Sequence, residues 1–189
     1  MDHFAEKLIH GRTHISPKRL GDPGPSESQK ESILLAASAA PDHGRKVPWH
    51  FIEIQESSRA SLGDVFYQCL LERDQSATTI QLQEARDKAL RGPLLFIAIA
   101  NYHDTSDQIS KQEKLISLGC AIQNIILSAY AYGYGSGLSS GRALESIYIR
   151  NLFQLSDHED PICFITIGTV LKNKPDRIRP GLSEYHSIF

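Results

Sequence analysis

The sequence predicts an α+β fold, and three observations predict it. Leu94–Ala100 is a continuous apolar run of strand length between Pro93 and Asn101, the pattern of a central strand covered on both faces. A long helix runs from about Glu113 to Tyr132. The other helical segments outnumber the strands and cluster between them, with no internal repeat or domain linker, so residues 1–189 read as one domain. That length supports one well-buried core and is short for two.

The elements follow in order. Residues 2–9 read as a short helix with Phe4, Leu8 and Ile9 on one face. The stretch from Gly11 to Pro25 cannot stay helical, because its prolines remove donors and push preceding residues toward extended backbone. Ser26 then starts a helix, with Gln29 three residues on to complete a capping box; it passes Ile33, Leu34 and Ala37 and stops near Pro41. Residues 50–55 read as a strand. From about Ser58 a helix recurs through Leu62, Val65, Phe66, Cys69 and Leu70. Residues 75–92 are mostly polar and predict a second, exposed helix with a flexible lead-in, and 102–112 a polar loop or helix entry.

The long helix ends at Gly133, the residue suited to a left-handed cap. A glycine-rich strand and turn follows through Gly141, then a short helix over 142–152 and a strand over 162–170. The tail is basic and proline-rich.

Composition narrows the function. Hydrophobic residues make up 41% of the chain, enough to argue against wholesale disorder. The formal net charge of -2 comes without a basic stripe, which argues against nucleic acid as main partner. Cys69, Cys120 and Cys163 are widely spaced among apolar neighbours. They read as reduced core cysteines of a cytoplasmic protein, with no metal spacing. The opening residues alternate in charge and lack the apolar core of a secretory signal. The most apolar stretch, 115–134, is broken by Ser117, Gln123, Asn124 and Ser128, and reads as a helix buried in protein, not membrane.

The usual catalytic signatures are absent. There is no Gly-x-Ser-x-Gly elbow, no His-Glu-x-x-His and no phosphate-loop lysine. Gly133, Gly135 and Gly137 follow a helix, whereas a dinucleotide fingerprint lies between a strand and a helix. No residue is assigned a catalytic proton-transfer or nucleophilic role. A flavin enzyme tolerates such a sequence, because the ring carries the hydride and the protein holds ring and phosphate. A non-catalytic binding domain tolerates it equally.

Four segments together carry a resemblance. Ile9-His10-Gly11-Arg12-Thr13 is similar to an Arg-Arg-Ser element after a first helix, with Gly11 in place of the first arginine. Ala39 to Phe51 is similar to an Ala-Pro-Asp-His loop running into Pro-Trp-His-Phe; Arg45 and Val47 stand where Asn and Gln are usual, and Trp49 reads as core. Ser117 to Gly137 is similar to a long central helix with a Gly-x-Gly exit, in which Gly119, Ala121 and Ala129 permit close helix packing. Leu138-Ser139-Ser140-Gly141 stands where a Trp-Arg-Ser-Gly turn is usual, so Ser139 removes a second charge.

In order and spacing these segments resemble the nitroreductase family, in particular its short bacterial NAD(P)H nitroreductase branch. The resemblance implies a nitroreductase-like fold: a central, mostly antiparallel β-sheet flanked by helices, with a long buried central helix. It implies FMN as cofactor and NAD(P)H as electron donor, ping-pong turnover on a nitroaromatic, quinone or related acceptor, and a homodimer with FMN at the interface. Carried onto this chain, it makes Arg12 and Thr13 phosphate contacts through a charged fork and a hydroxyl. It makes His43 a ring or ribityl contact, and Leu138, Ser139 and Ser140 a turn meeting the ring through backbone donors. Lys172, Lys174, Arg177 and Arg179 are candidates for the missing phosphate charge. The segments 75–90 and 102–112 are expected to cover the ring and set acceptor choice. Two rival readings stay open at this level: a flavin-binding protein without turnover, and a cofactor-free structural or interaction protein on the same fold.

Overall fold

The computed structural model describes residues 3–103, 108–172 and 178–189. In chain order its elements are α1 (Phe4–Gly11), β1 (Leu20–Gly21), α2 (Glu27–Leu35), β2 (Trp49–Glu53), α3 (Glu56–Arg73), α4 (Thr79–Arg86), β3 (Leu94–Asn101), α5 (Lys111–Ala131), β4 (Gly135–Ser139), α6 (Ile147–Leu152) and β5 (Glu159–Val170). Short 3-10 turns join several of them.

Helix starts follow local chemistry. Ser26, Thr78 and Ser110 each accept a hydrogen bond from the backbone N–H three residues on, and Gln29, Gln81 and Glu113 reach back to close the boxes. At the far end of α5, Gly133 takes φ +88 while Tyr134 N–H returns to Ala129 carbonyl. The expected left-handed cap forms, and it turns the chain straight into β4.

The sheet is antiparallel throughout its named strands and centres on β3 and β5. β3 pairs with β2 on one side and with β5 on the other. β5 also takes β4 along Phe164–Gly168 and β1 at Thr169 and Val170. Alternation along β3 then assigns side chains to two cores. Leu94, Phe96, Ala98 and Ala100 meet α2 and α5 through Ile33, Leu118 and Ile125; Leu95, Ile97 and Ile99 meet Leu62, Ala89 and Ile149 from the opposite helical layer. The strand is covered on both faces, as its unbroken apolar run requires.

α5 is long and apolar enough to cross a membrane by length and composition, yet its Leu118, Ala121, Ile125 and Ala129 lie in the first core. Ala121 and Ala129 pack within the chain, whereas Gly119 faces open space.

Three expectations are refined. α4 is exposed over most of its surface, as expected, but one face is docked: Leu82 and Ala85 are buried and Ala89 just beyond is fully so, because three apolar residues at helical spacing suffice to dock an otherwise polar segment. The helix expected over 142–152 is a 3-10 turn and then α6, divided at Ser146, whose hydroxyl caps α6 by accepting from Ile149 N–H. β5 starts at Glu159, earlier than its apolar run, because the register with β3 carries Glu159 and Asp160 opposite Asn101 and Ala100.

Candidate active site

β4 is positioned from two directions. Its partner in the sheet is β5, and on its other flank the 14–16 segment runs alongside, with Ile15 N–H donating to Ser136 carbonyl at 2.9 Å. Only glycine fits at position 137, where a Cβ would collide with the Ile15 carbonyl. This close approach brings His14, Ser16 and Pro17 to the mouth of a cavity of about 470 Å³.

The cavity's inner wall is apolar. Phe66 of α3 meets Phe164 of β5 edge-on, with ring centroids 5.5 Å apart and planes at 86°, and Leu95 and Leu144 extend the surface. One rim is the turn Leu138-Ser139-Ser140-Gly141, leaving β4 for the 3-10 turn that begins at Arg142. The other rim is cationic: Arg73, Lys88 and Arg91 line it, with Arg142 beside the turn. Burial pulls the Lys88 ammonium below the ordinary lysine value, and Arg91, Arg73 and Lys18 push it the same way against Glu84. Burial likewise lowers Arg91, opposed by Asp87 and Glu84. Crowded cations in a half-buried apolar cleft favour an anionic occupant.

The expected site residues divide. Leu138, Ser139 and Ser140 line this cavity; Arg12 and Thr13 do not. They line a separate space of about 180 Å³ with Tyr130, Tyr134 and Ser136. Arg12 is half-buried, its Nε is enclosed without a hydrogen-bond partner among the described residues, and burial and Arg179 both lower its pKa. Arg179 lies beside it, donating through Nη2 to the carbonyls of His10 and Arg12. Lys172 is exposed, and Lys174 and Arg177 lie outside the described residues.

His43 does not line the cavity beside β4 either. Its Nδ1 lies 3.1 Å from Glu113 Oε1, at the N-terminus of α5. The Ser110 backbone N–H first, then His43 and the Ser110 hydroxyl, hold the Glu113 carboxyl below the usual range. The loop around His43 bends through left-handed backbone at Gly44, Arg45 and Val47, and Asp42 Oδ2 takes the Val47 N–H at 2.7 Å. Trp49 is half-buried against the first core, in keeping with its packing role.

Sequence reasoning passed over His14, Ser16, Lys88 and Arg91. The first two stand only two and three positions beyond the pair it favoured. Lys88 lies in a stretch read as exposed helix. Ala85 and Lys88 of the 75–90 segment line the cavity, with Arg91 just beyond it; of 102–112, residues 104–107 lie outside the described residues. The three cysteines are free, and burial lifts the Cys163 thiol to about 11, as expected of an inert core thiol. Among the described residues no His, Cys, Asp and Glu cluster could hold a metal.

Known proteins agree with this architecture. The model of the nitroreductase family matches residues 13–169. The Escherichia coli (strain K12) protein named "Putative NAD(P)H nitroreductase YdjA" is 30% identical over 164 residues, covering 87% of this chain and 86% of the relative. The crystal structure of a nitroreductase-like family protein from Bacillus cereus superposes with a TM-score of 0.83 at 20% identity, covering 97% of this chain and 94% of that one. The FMN-dependent nitroreductase NfnB from Mycobacterium smegmatis, solved in complex with NADPH, gives a TM-score of 0.75 at 17% identity, with 98% and 97% covered. With its antiparallel sheet and long central helix, the chain has the nitroreductase-like fold and belongs to the nitroreductase family of oxidoreductases.

Proposed function

We propose that the chain is an FMN-dependent oxidoreductase that takes reducing equivalents from NAD(P)H and passes them to a small acceptor such as a nitroaromatic or quinone, by ping-pong turnover. In this reading it is a cytoplasmic homodimer with the flavin at the subunit interface. The observation that carries the reading is the cavity beside β4: an apolar wall, a backbone turn and a cationic rim in one cleft of ligand size. The names of the E. coli and M. smegmatis proteins, with their nicotinamide donor and FMN, support it.

The residues present fit the group. The crowding around Lys88, which its own burial disfavours, is relieved by a negatively charged ligand. Bound FMN would supply the hydride chemistry. The chain's residues then hold and orient. Phe66, Leu95 and Phe164 give a dry surface; Lys88 and Arg91 offer charge; Ser139, Ser140 and Gly141 offer backbone donors where the resembled turn carries arginine. His14 and Ser16 add polar groups at the mouth. His43 stands apart from this cavity, so within the reading it reaches the flavin only from the second subunit.

The dimer is supported by exposed apolar residues on α1, on α5 and in the tail: Phe4, Ile9, Ile116, Ile178 and Phe189. Purified protein supplemented with FMN, gel-filtered and titrated with NADPH or NADH under anaerobic conditions, tests the function. A yellow protein that bleaches supports it. Retained colour without bleaching favours binding without turnover, and failure to retain FMN favours a cofactor-free role.

A further inference from the structure

Arg59 in α3 is 5% exposed, and its hydrogen bonds run to main-chain carbonyls. Nε donates to Ile54 at 3.0 Å; Nη1 reaches Ala89 at 2.9 Å, Gly92 at 3.2 Å and Arg91 at 3.4 Å; Nη2 donates to Pro93 at 3.2 Å. Burial lowers its pKa, and Glu56 and Glu53 act the other way. A guanidinium is the one side chain with enough fixed donors to gather carbonyls from so many residues.

Four of those carbonyls belong to the turn between α4 and β3, which is pinned from its other side as well. Gly92 takes φ +68, and a Cβ there would collide with Thr166 Cγ2 of β5. With its carbonyls drawn toward Arg59, this turn presents the side chains of Lys88 and Arg91 to the cavity. We infer that Arg59 is a positioning residue that sets Lys88 and Arg91 on the flavin cavity by clasping the backbone of 89–93; this rests on the flavin reading above.

The test is FMN affinity in two backgrounds. Arg59→Met keeps the aliphatic stem and removes every donor; Arg59→Lys keeps the charge and loses the fork, and serves if the first variant does not fold. In the otherwise native chain either substitution is expected to raise the FMN Kd about tenfold, within the range of coupling between neighbouring residues. In a Lys88→Met/Arg91→Met background the same substitution is expected to change Kd less than about twofold, because the groups it positions are gone. A merely structural role lowers Tm and weakens FMN by the same factor in both backgrounds, and that result overturns the inference. So does an unchanged Kd for Arg59→Lys in the native background. If the unsubstituted protein takes up no FMN, the flavin reading fails first, visibly and before any variant is made.

Discussion

The Arg179 guanidinium donates to the Arg12 main-chain carbonyl at 3.0 Å, joining residues 167 positions apart in sequence. The pairing places two like charges side by side, and burial and Arg179 together lower the Arg12 pKa. The bond engages the main chain of Arg12 and not its guanidinium, while His14 and Ser16 line the cavity beside β4.

Substitution therefore separates the two stations. His14→Ala and Ser16→Ala are each expected to weaken FMN binding by about 1 kcal/mol or more, the scale of a lost hydrogen bond. Arg12→Ala is expected to weaken it less. Fluorescence titration of FMN against the three variants checks the order, and a larger loss for Arg12→Ala would return the phosphate to that residue.

Lys88→Met is expected to remove a pH dependence. Burial and neighbouring cations lower the Lys88 pKa in the free protein, and an anionic ligand raises it again. The protonated form then binds more tightly, so FMN affinity is level below the free protein's Lys88 pKa. It falls as pH rises through that pKa toward the ligand-bound one. The window lies on the alkaline side and opens below the ordinary lysine value of 10.5. Kd measured against pH in both proteins, with the decline missing from Lys88→Met, is the result expected.

Two glycine substitutions should act in opposite directions on the stability of the subunit. Gly137→Ala drives a methyl into the Ile15 carbonyl and is expected to cost roughly 3 kcal/mol or more, because backbone must move. Gly119→Ala lies within α5, meets nothing within 4 Å and is expected to stabilise the subunit by about 0.5–1 kcal/mol. Urea unfolding of both variants decides.

Ile116 is 66% exposed on α5, close to Gly119. Ile116→Glu is expected to convert the proposed dimer to a monomer while changing the subunit's own stability by no more than about 0.5 kcal/mol. Light scattering coupled to size exclusion reads the mass. A dimer that persists would move the interface off this helix face.

What was legible in the sequence was local. The capping box of Ser26 and Gln29, the left-handed Gly133 and the doubly buried Leu94–Ala100 are each decided within a few residues, and each forms as expected. Gly137 and Gly141 mark a turn around Leu138–Ser140, and its place at the flavin is an expectation that the resemblance alone carries. Less was legible where distant segments meet. Nothing near Arg59 announces that its guanidinium will gather carbonyls 30 to 34 residues away, and a lone arginine on a helix usually reads as solvated. The choice between Arg12 and His14 turns on which residues run beside β4, a register that Ile15 and Ser136 set across 121 positions. Lys88 was overlooked because polar composition hid the apolar face that docks α4.

β5 holds β1, β3 and β4 at once, and its Phe164 and Thr166 form part of the cavity wall. Opening that wall means breaking several ladders together, so amide protons from Cys163 to Gly168 are expected to exchange with solvent only through global unfolding. The rim residues from Ser140 to Arg142 sit past the last paired position of β4 and escape that restraint. A lineage could thus retune what the cleft accepts by rewriting its lip, while the hearth behind it stays fixed.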